Sequence, residues 1–333
     1  MSGAAKTAVL LLAHGSPDNP AEVPDFLRFV TSGRGLPQAV IDEVAHRYAL
    51  IGRSPLTEIT LRQGQALARE LNMPVYVGMR NWKPFIADAV RQMASDAVQH
   101  AIVICLAPHN SRTSVGLYRK ALDEACGSGS RTRSGQVEDP SPHNRRFTYD
   151  FVENWHDHPL LVKAFAERLQ AGWKRACEEA GAKVPVIFTA HSVPTRTVTE
   201  GDPYEQQAKE TADMVAMEIP SLTVDDWTFA FQSQGMSGGP WLGPTVEETI
   251  RQLKAKGHAG VFVQPIGFVC DHVEVLYDVD IAFRKLAEEN GMKLWRAESL
   301  NDSPTFIAAL ADVARSRMEQ PAEERKAQIV NIK

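Results

Sequence analysis

VLLLAHGSP at residues 9–17 and VIFTAHSVP at residues 186–194 share one pattern, an apolar run that ends in Ala-His-x-x-Pro. Each reads as a buried strand delivering a histidine, His14 and His191, at its carboxyl end. The echo continues in order along the chain. VYVGM at 75–79, followed by Trp82 and Pro84, resembles FAFQ at 229–232, followed by Trp241 and Pro244; AIVIC at 101–105 precedes Pro108 and His109 as GVFV at 260–263 precedes Pro265. A repeat of this length predicts two similar α/β halves, and two halves facing one another make a cleft with chemistry supplied from both sides.

The 333 residues, 44% hydrophobic, suffice for two lobes with sizeable cores. A net charge of −5 gives no global pull toward nucleic acid or anionic membrane, so no nucleic-acid partner is expected and the ligand must be inferred from the site. The start of the chain runs into an apolar run of about six residues, too short and wrongly flanked for a signal peptide or a spanning helix. No transmembrane segment and a cytoplasmic location are therefore expected. Four cysteines, Cys105, Cys126, Cys177 and Cys270, are scattered without a Cys-x-x-Cys pair, which indicates neither a zinc knuckle nor a disulfide framework.

Short β-branched runs alternate with amphipathic stretches, the pattern of parallel sheets covered by helices. Helices are predicted over residues 57–71, 160–180, 245–256 and 304–319, the last with Ser303 as N-cap and Pro304 at the first helical position. Residues 126–146 are rich in Gly, Ser and Pro and read as a polar loop between a first half, residues 1–125, and a second, residues 147–302. The Glu- and Lys-rich tail is expected to fray.

Open α/β sheets place ligands beyond their strand carboxyl ends, where both His14 and His191 fall. A histidine there can bind metal, move a proton, or simply cap the strand end through a backbone carbonyl. The second constellation is PIGFVCDHVEVLYD at 265–278. A strand runs into Gly267, and a helix is predicted from an Asp271 N-cap. Glu274 and Asp278, four apart, then share one helix face, at a cost of roughly 0.2–0.5 kcal/mol that a cation would relieve. A merely solvated acidic face fits poorly with the apolar Val273, Val275, Leu276 and Val279. His272 is expected on a different face, in a supporting role.

FTAHSVP (188–194), EGDPY (200–204), FQSQG (231–235), WLGP (241–244) and PIGFVCDHVE (265–274) together resemble the ferrochelatase family. So do IGRSPL (51–56), GMRNWKP (78–84) and APHNS (107–111), and the resemblance runs over residues 8–315 in the family's order. It implies two Rossmann-like halves that insert ferrous iron into a porphyrin and release two protons, with the final helix, about 303–320, packing back on the first half. It places the catalytic pair on His191 and Glu274, with Asp278 as a secondary metal ligand. Fe²⁺ accepts imidazole and carboxylate, and a histidine beside a carboxylate can also take the pyrrole protons. No cofactor beyond the substrate Fe²⁺ is implied, and no [2Fe-2S] cluster, because no cysteine follows Cys270.

Residues 107–118 and 153–157 are more similar to the coproporphyrin III subfamily than to the protoporphyrin IX enzymes. That likeness puts porphyrin contacts on His14, Arg47, Tyr48, Ser54 and Tyr118. Three positions depart from it: His14 stands where a tyrosine usually faces the product iron, Thr31 where an arginine usually holds a propionate, and Ala282 where an acidic residue is usual. An imidazole at position 14 is expected to ligate the product iron axially. The partners implied are porphyrin and iron, with transient contact to neighbouring haem-pathway enzymes. Two other readings share the architecture: a sirohydrochlorin-type or cobalt chelatase, suggested by the early Ala-His-Gly-Ser at 13–16, and a non-catalytic haem-binding or delivery protein, which the intact His191 and Glu274 argue against.

Overall fold

The computed structural model describes residues 6–127, 146–235, 238–320 and 328–331. Its strands are β1 (Thr7–Ala13), β2 (Val75–Met79), β3 (His100–Cys105), β4 (Arg146–Val152), β5 (Val186–His191), β6 (Trp227–Gln232), β7 (Gly260–Pro265), β8 (Lys293–Arg296) and β9 (Gln328–Asn331). The helices are α1 (Val23–Val30), α2 (Gln38–Ile51), α3 (Leu56–Leu71), α4 (Ile86–Ser95), α5 (Val115–Gly127) and α6 (Pro159–Ala180). After them come α7 (Thr195–Thr199), α8 (Tyr204–Met217), α9 (Val246–Ala255), α10 (Val273–Leu276), α11 (Arg284–Glu289) and α12 (Pro304–Glu319). A π-helical segment, Asp278–Phe283, joins α10 to α11.

One sheet has the order β2-β1-β3-β4-β9 and the other β6-β5-β7-β8. All neighbours are parallel except β9, which runs antiparallel to β4. The first four strands of one sheet thus repeat the four of the other, two Rossmann-like halves as the sequence echo predicts. The correspondence extends to single bonds. Met79 N–H donates to the Pro84 carbonyl at 2.7 Å and Phe231 N–H to that of Pro244 at 2.8 Å; Leu106 bonds to Leu12 and Ile266 to Thr189, both at 2.8 Å. Central strands covered on both faces need continuous apolar runs, and Ala8 to Leu12 of β1 are fully buried.

The predicted helices are present within a residue at each end. Thr245 caps α9 in a capping box with Glu248, whereas Ser303 occupies the N-cap position of α12 without a side-chain bond. The helix after β7 begins later than expected: His272, not Asp271, is its N-cap, because both Asp271 carboxylate oxygens are taken by Ser299 and Asn301. The polar loop is also shorter at both ends, since Cys126 is still in α5 and Arg146 already in β4; residues 128–145 lie outside the described part, and the boundary at 147 is corrected, because β4 pairs with β3 and belongs to the first half. The tail does not simply fray, for residues 328–331 pair with β4.

Two contacts fix the halves. Helix α12 lies on α3, α6 and β3, with Phe306 packed at a tilt against Trp155, ring centroids 6.0 Å apart, and Arg315 bonded to Glu70. The loop after β3 is tied to the start of α8: Asn110 N–H donates to Gln207 at 2.6 Å, Arg112 N–H to Asp202 at 2.8 Å, and His109 bonds Thr211 at 3.0 Å. Among the described residues no helix is long and apolar enough to cross a membrane.

Candidate active site

Beyond the carboxyl ends of both sheets lies a cavity of about 510 Å³, lined by both halves. Its wall is largely apolar, with Phe26, Leu27, Val30, Phe268 and Val269 among the lining residues. Polar groups converge from the strand ends.

His191 closes β5, and its Nδ1 bonds the Ser192 carbonyl, so that Nδ1 carries the proton and Nε2 presents a lone pair. That Nε2 stands 3.7 Å from Glu274 Oε1. Three contacts hold the pair. The Tyr204 hydroxyl donates to the His191 carbonyl at 2.9 Å, and Gln232 donates from its amide to the Glu274 carbonyl at 2.8 Å while accepting from Thr189. Gly267 is the third, since a Cβ there would come within 2.8 Å of Ala190 Cβ and press on the strand end that carries His191.

Burial works against a charged Glu274, but His191, His272 and His14 outweigh it and bring the carboxyl down to about 2. Asp278 behaves oppositely. Burial, opposed by the Ser233 hydroxyl and reinforced by Glu274, raises it to about 6, with Arg47 Nη1 3.8 Å away. His272 corrects the sequence reading: it lines the cavity, and its Nε2 lies 3.7 Å from Glu274 Oε2 while Nδ1 bonds the Cys270 carbonyl at 3.0 Å. The displaced helix start is the reason, because at the N-cap its backbone is extended and not helical. Burial lowers the basicity of His272, and the Glu274 carboxylate more than restores it, leaving the pKa raised.

On the opposite wall, His14 bonds the Gly15 carbonyl through Nδ1 and accepts from the Asn81 amide at Nε2, both at 2.9 Å. Burial in the cleft and the charge of Arg80 lower its pKa to about 4, so the ring is neutral. The lone pair that axial ligation requires is already taken by Asn81. Tyr48 lines the cavity with its hydroxyl 3.1 Å from Ser16, and Tyr118 and Arg47 line it too. Ser54 is not brought to the wall. It is buried between α2 and α3, beyond the turn at Gly52, which has a φ of 76°. Sequence reasoning assigned nothing to Arg80 and Asn81, although the repeat offers a signal: Arg80 directly follows β2 where Gln232 ends β6.

An imidazole and a carboxylate 3.7 Å apart in the wall of a largely apolar cavity of this volume fit a metal met by a large apolar ligand. A family model described as Ferrochelatase matches residues 6–318. The chain belongs to the ferrochelatase family. It is 50% identical over 329 residues to the ferrochelatase of Acidobacterium capsulatum, covering 95% of each chain. The ferrochelatase of Deinococcus radiodurans is 39% identical over 320 residues, covering 94% of this chain and 96% of that one. A coproporphyrin III ferrochelatase from a Geobacillus species is 34% identical over 323 residues, covering 94% and 98%. Among solved structures, SirB from Bacillus subtilis with Fe3+ superposes with a TM-score of 0.56 at 11% identity, covering 98% of this chain and 100% of that one, a likeness of fold.

Proposed function

We propose that this ferrochelatase inserts Fe²⁺ into coproporphyrin III, with protoporphyrin IX as the alternative macrocycle, releasing two protons per turnover. The observation that carries the reading is the His191–Glu274 pair, 3.7 Å apart in the wall of an apolar cavity. Metal–donor bonds of about 2.1 Å allow one ion to touch both side chains at that separation. The ion then passes to the four pyrrole nitrogens, whose two protons leave as it enters. His191 Nε2 is the free lone pair nearest that exchange, and the Glu274 carboxylate, ionised throughout the neutral range, offsets the charge of the ion and of a protonated imidazole. Asp278 also lines the cavity, and this reading makes it a secondary holding point for the ion before transfer.

The exchange of one metal for two protons balances without an oxidant or reductant. The reading needs no redox cofactor for that step and carries no resident cofactor or [2Fe-2S] cluster. It also places the protein in the cytoplasm, in transient contact with neighbouring enzymes of the haem pathway.

The test is anaerobic turnover of the purified protein with Fe²⁺ and either coproporphyrin III or protoporphyrin IX, beside Co²⁺ with sirohydrochlorin. Faster iron insertion into coproporphyrin III supports the reading in full. Faster cobalt insertion into sirohydrochlorin assigns the protein to that other chelatase activity, and tight haem binding without any insertion makes it a carrier.

A further inference from the structure

Two arginines line the cavity, Arg47 and Arg80, and the protein matches them very differently. Arg47 is already provided for. Its Nε donates to Glu43 at 2.9 Å, its Nη1 lies 3.8 Å from Asp278, and its guanidinium covers the Tyr277 ring at 5.0 Å. Arg80 has no carboxylate partner among the described ion pairs, and its buried Nε bonds to nothing. Its nearest counterpart is the Tyr118 ring, 5.8 Å from the guanidinium carbon. Tyr118 carries no charge, since burial pushes that phenol well above its ordinary range.

A guanidinium cannot escape such a site by losing its proton, although burial lowers its pKa. Arg80 is half-buried, with its Nε shut away from water; an unpaired charge partly withdrawn from water is costly, and proteins leave one where a ligand compensates it. The chemistry of the wall narrows the ligand. Asn81 and His14 are bonded to each other, so neither competes for an anion at Arg80. The apolar side chains of the cavity give a free inorganic anion nothing to rest on, whereas an anion carried on a large apolar body is accommodated at both ends.

We propose that Arg80 receives a carboxylate of the tetrapyrrole through its planar fork of donors. This rests on the porphyrin reading above and deepens it: the macrocycle is anchored from the wall of the first half, opposite His191 and Glu274, by a group to which sequence reasoning gave no role. Arg47, held by Glu43 and Asp278, is then a partner of the acidic wall and not the main carboxylate anchor.

The experiment uses the metal-free full-length protein. Affinity for coproporphyrin III and for its tetramethyl ester is read by fluorescence in wild type, Arg80→Met and Arg80→Lys, with the melting temperature of each unliganded protein. The expected result is a loss of at least tenfold in acid affinity for Arg80→Met, a smaller loss for Arg80→Lys, ester affinity within twofold of wild type in both, and an unliganded Arg80→Met that melts no lower than wild type. Unchanged acid affinity in Arg80→Met overturns the proposal. So does a lower melting temperature of that variant, which would mean that the protein itself compensates the charge; if Arg80→Met does not fold, full acid affinity in Arg80→Lys overturns the requirement for the fork. A wild type that binds neither compound removes the porphyrin reading instead, so the two failures are distinct.

Discussion

His191 Nε2 and Glu274 Oε1 face each other across 3.7 Å, one side chain at the end of β5 and the other in α10, which follows β7. That distance is too long for a hydrogen bond and short enough for one shared ion. Glu274→Gln keeps the shape and removes the charge, and should lower single-turnover insertion by a factor of about 10² or more. His191→Ala should do the same, with porphyrin affinity within a few-fold of wild type in both variants. Absorbance-monitored turnover beside fluorescence titration separates the two quantities.

Asp278 gives the site a pH dependence of its own. Its pKa, raised to about 6, means that it is a neutral acid below pH 6 and a carboxylate above. At subsaturating Fe²⁺, insertion should therefore rise as pH increases through 6, as the carboxylate that draws the ion forms. Asp278→Asn should flatten that limb and raise the KM for iron, and an unchanged limb would assign the titration to another group.

His109 should make the protein acid-sensitive. It is 2% exposed, and burial, with His156 nearby, lowers its pKa from 6.5 to about 3. The unfolded chain therefore takes up a proton first, and the stability associated with the neutral ring is complete above pH 6.5 and lost as pH falls toward 3. Between pH 7.5 and 5 this is worth about 2 kcal/mol. Urea unfolding of His109→Gln at both pH values should show a correspondingly smaller loss than wild type.

Arg296 forks onto Asp280 with two bonds of 2.8 Å and lies 3.5 Å from Asp271. It ties β8 to the π-helical segment that carries Asp278. Arg296→Met removes both bonds and leaves Asp280 only the 3.8 Å contact of Arg284, and should cost about 1–3 kcal/mol, most of which should return in the double variant with Asp280→Leu. Denaturant midpoints of the four proteins measure it.

Gly267→Ala tests the backing of His191. With Ala190 Cβ only 2.8 Å from the new methyl group, β5 and β7 must move apart, at a cost of about 1–3 kcal/mol. Turnover should fall with little change in porphyrin affinity, since the new methyl group presses on Ala190 at the strand end that carries His191.

The fold was legible wherever one strand had to be buried on both faces. Continuous apolar runs such as Ala8 to Leu12 have few alternatives, and their recurrence with His14 and His191 attached revealed two halves. Features that depend on what a side chain meets across space were less legible. Asp271 has the chemistry of an N-cap, but Ser299 and Asn301, about thirty residues away, claim its oxygens and push the helix start to His272. That single shift turns His272 toward Glu274. Arg80 stood in plain view in the sequence, but only the absence of an acid near it in the described structure marks it out. Arg47 was read as a porphyrin contact, and nothing in its stretch of the chain predicts the approach of Asp278.

Strand β9 has a consequence for the behaviour of the protein in concentrated solution. By running antiparallel along β4 it occupies the outer row of amides and carbonyls of the first sheet. Uncovered, that row is a template on which a second molecule can lay down a strand. Strand β9, only four residues long, is thus a short cap on that edge, and deleting it should reveal itself first as precipitation on standing and only secondarily as a loss of catalysis.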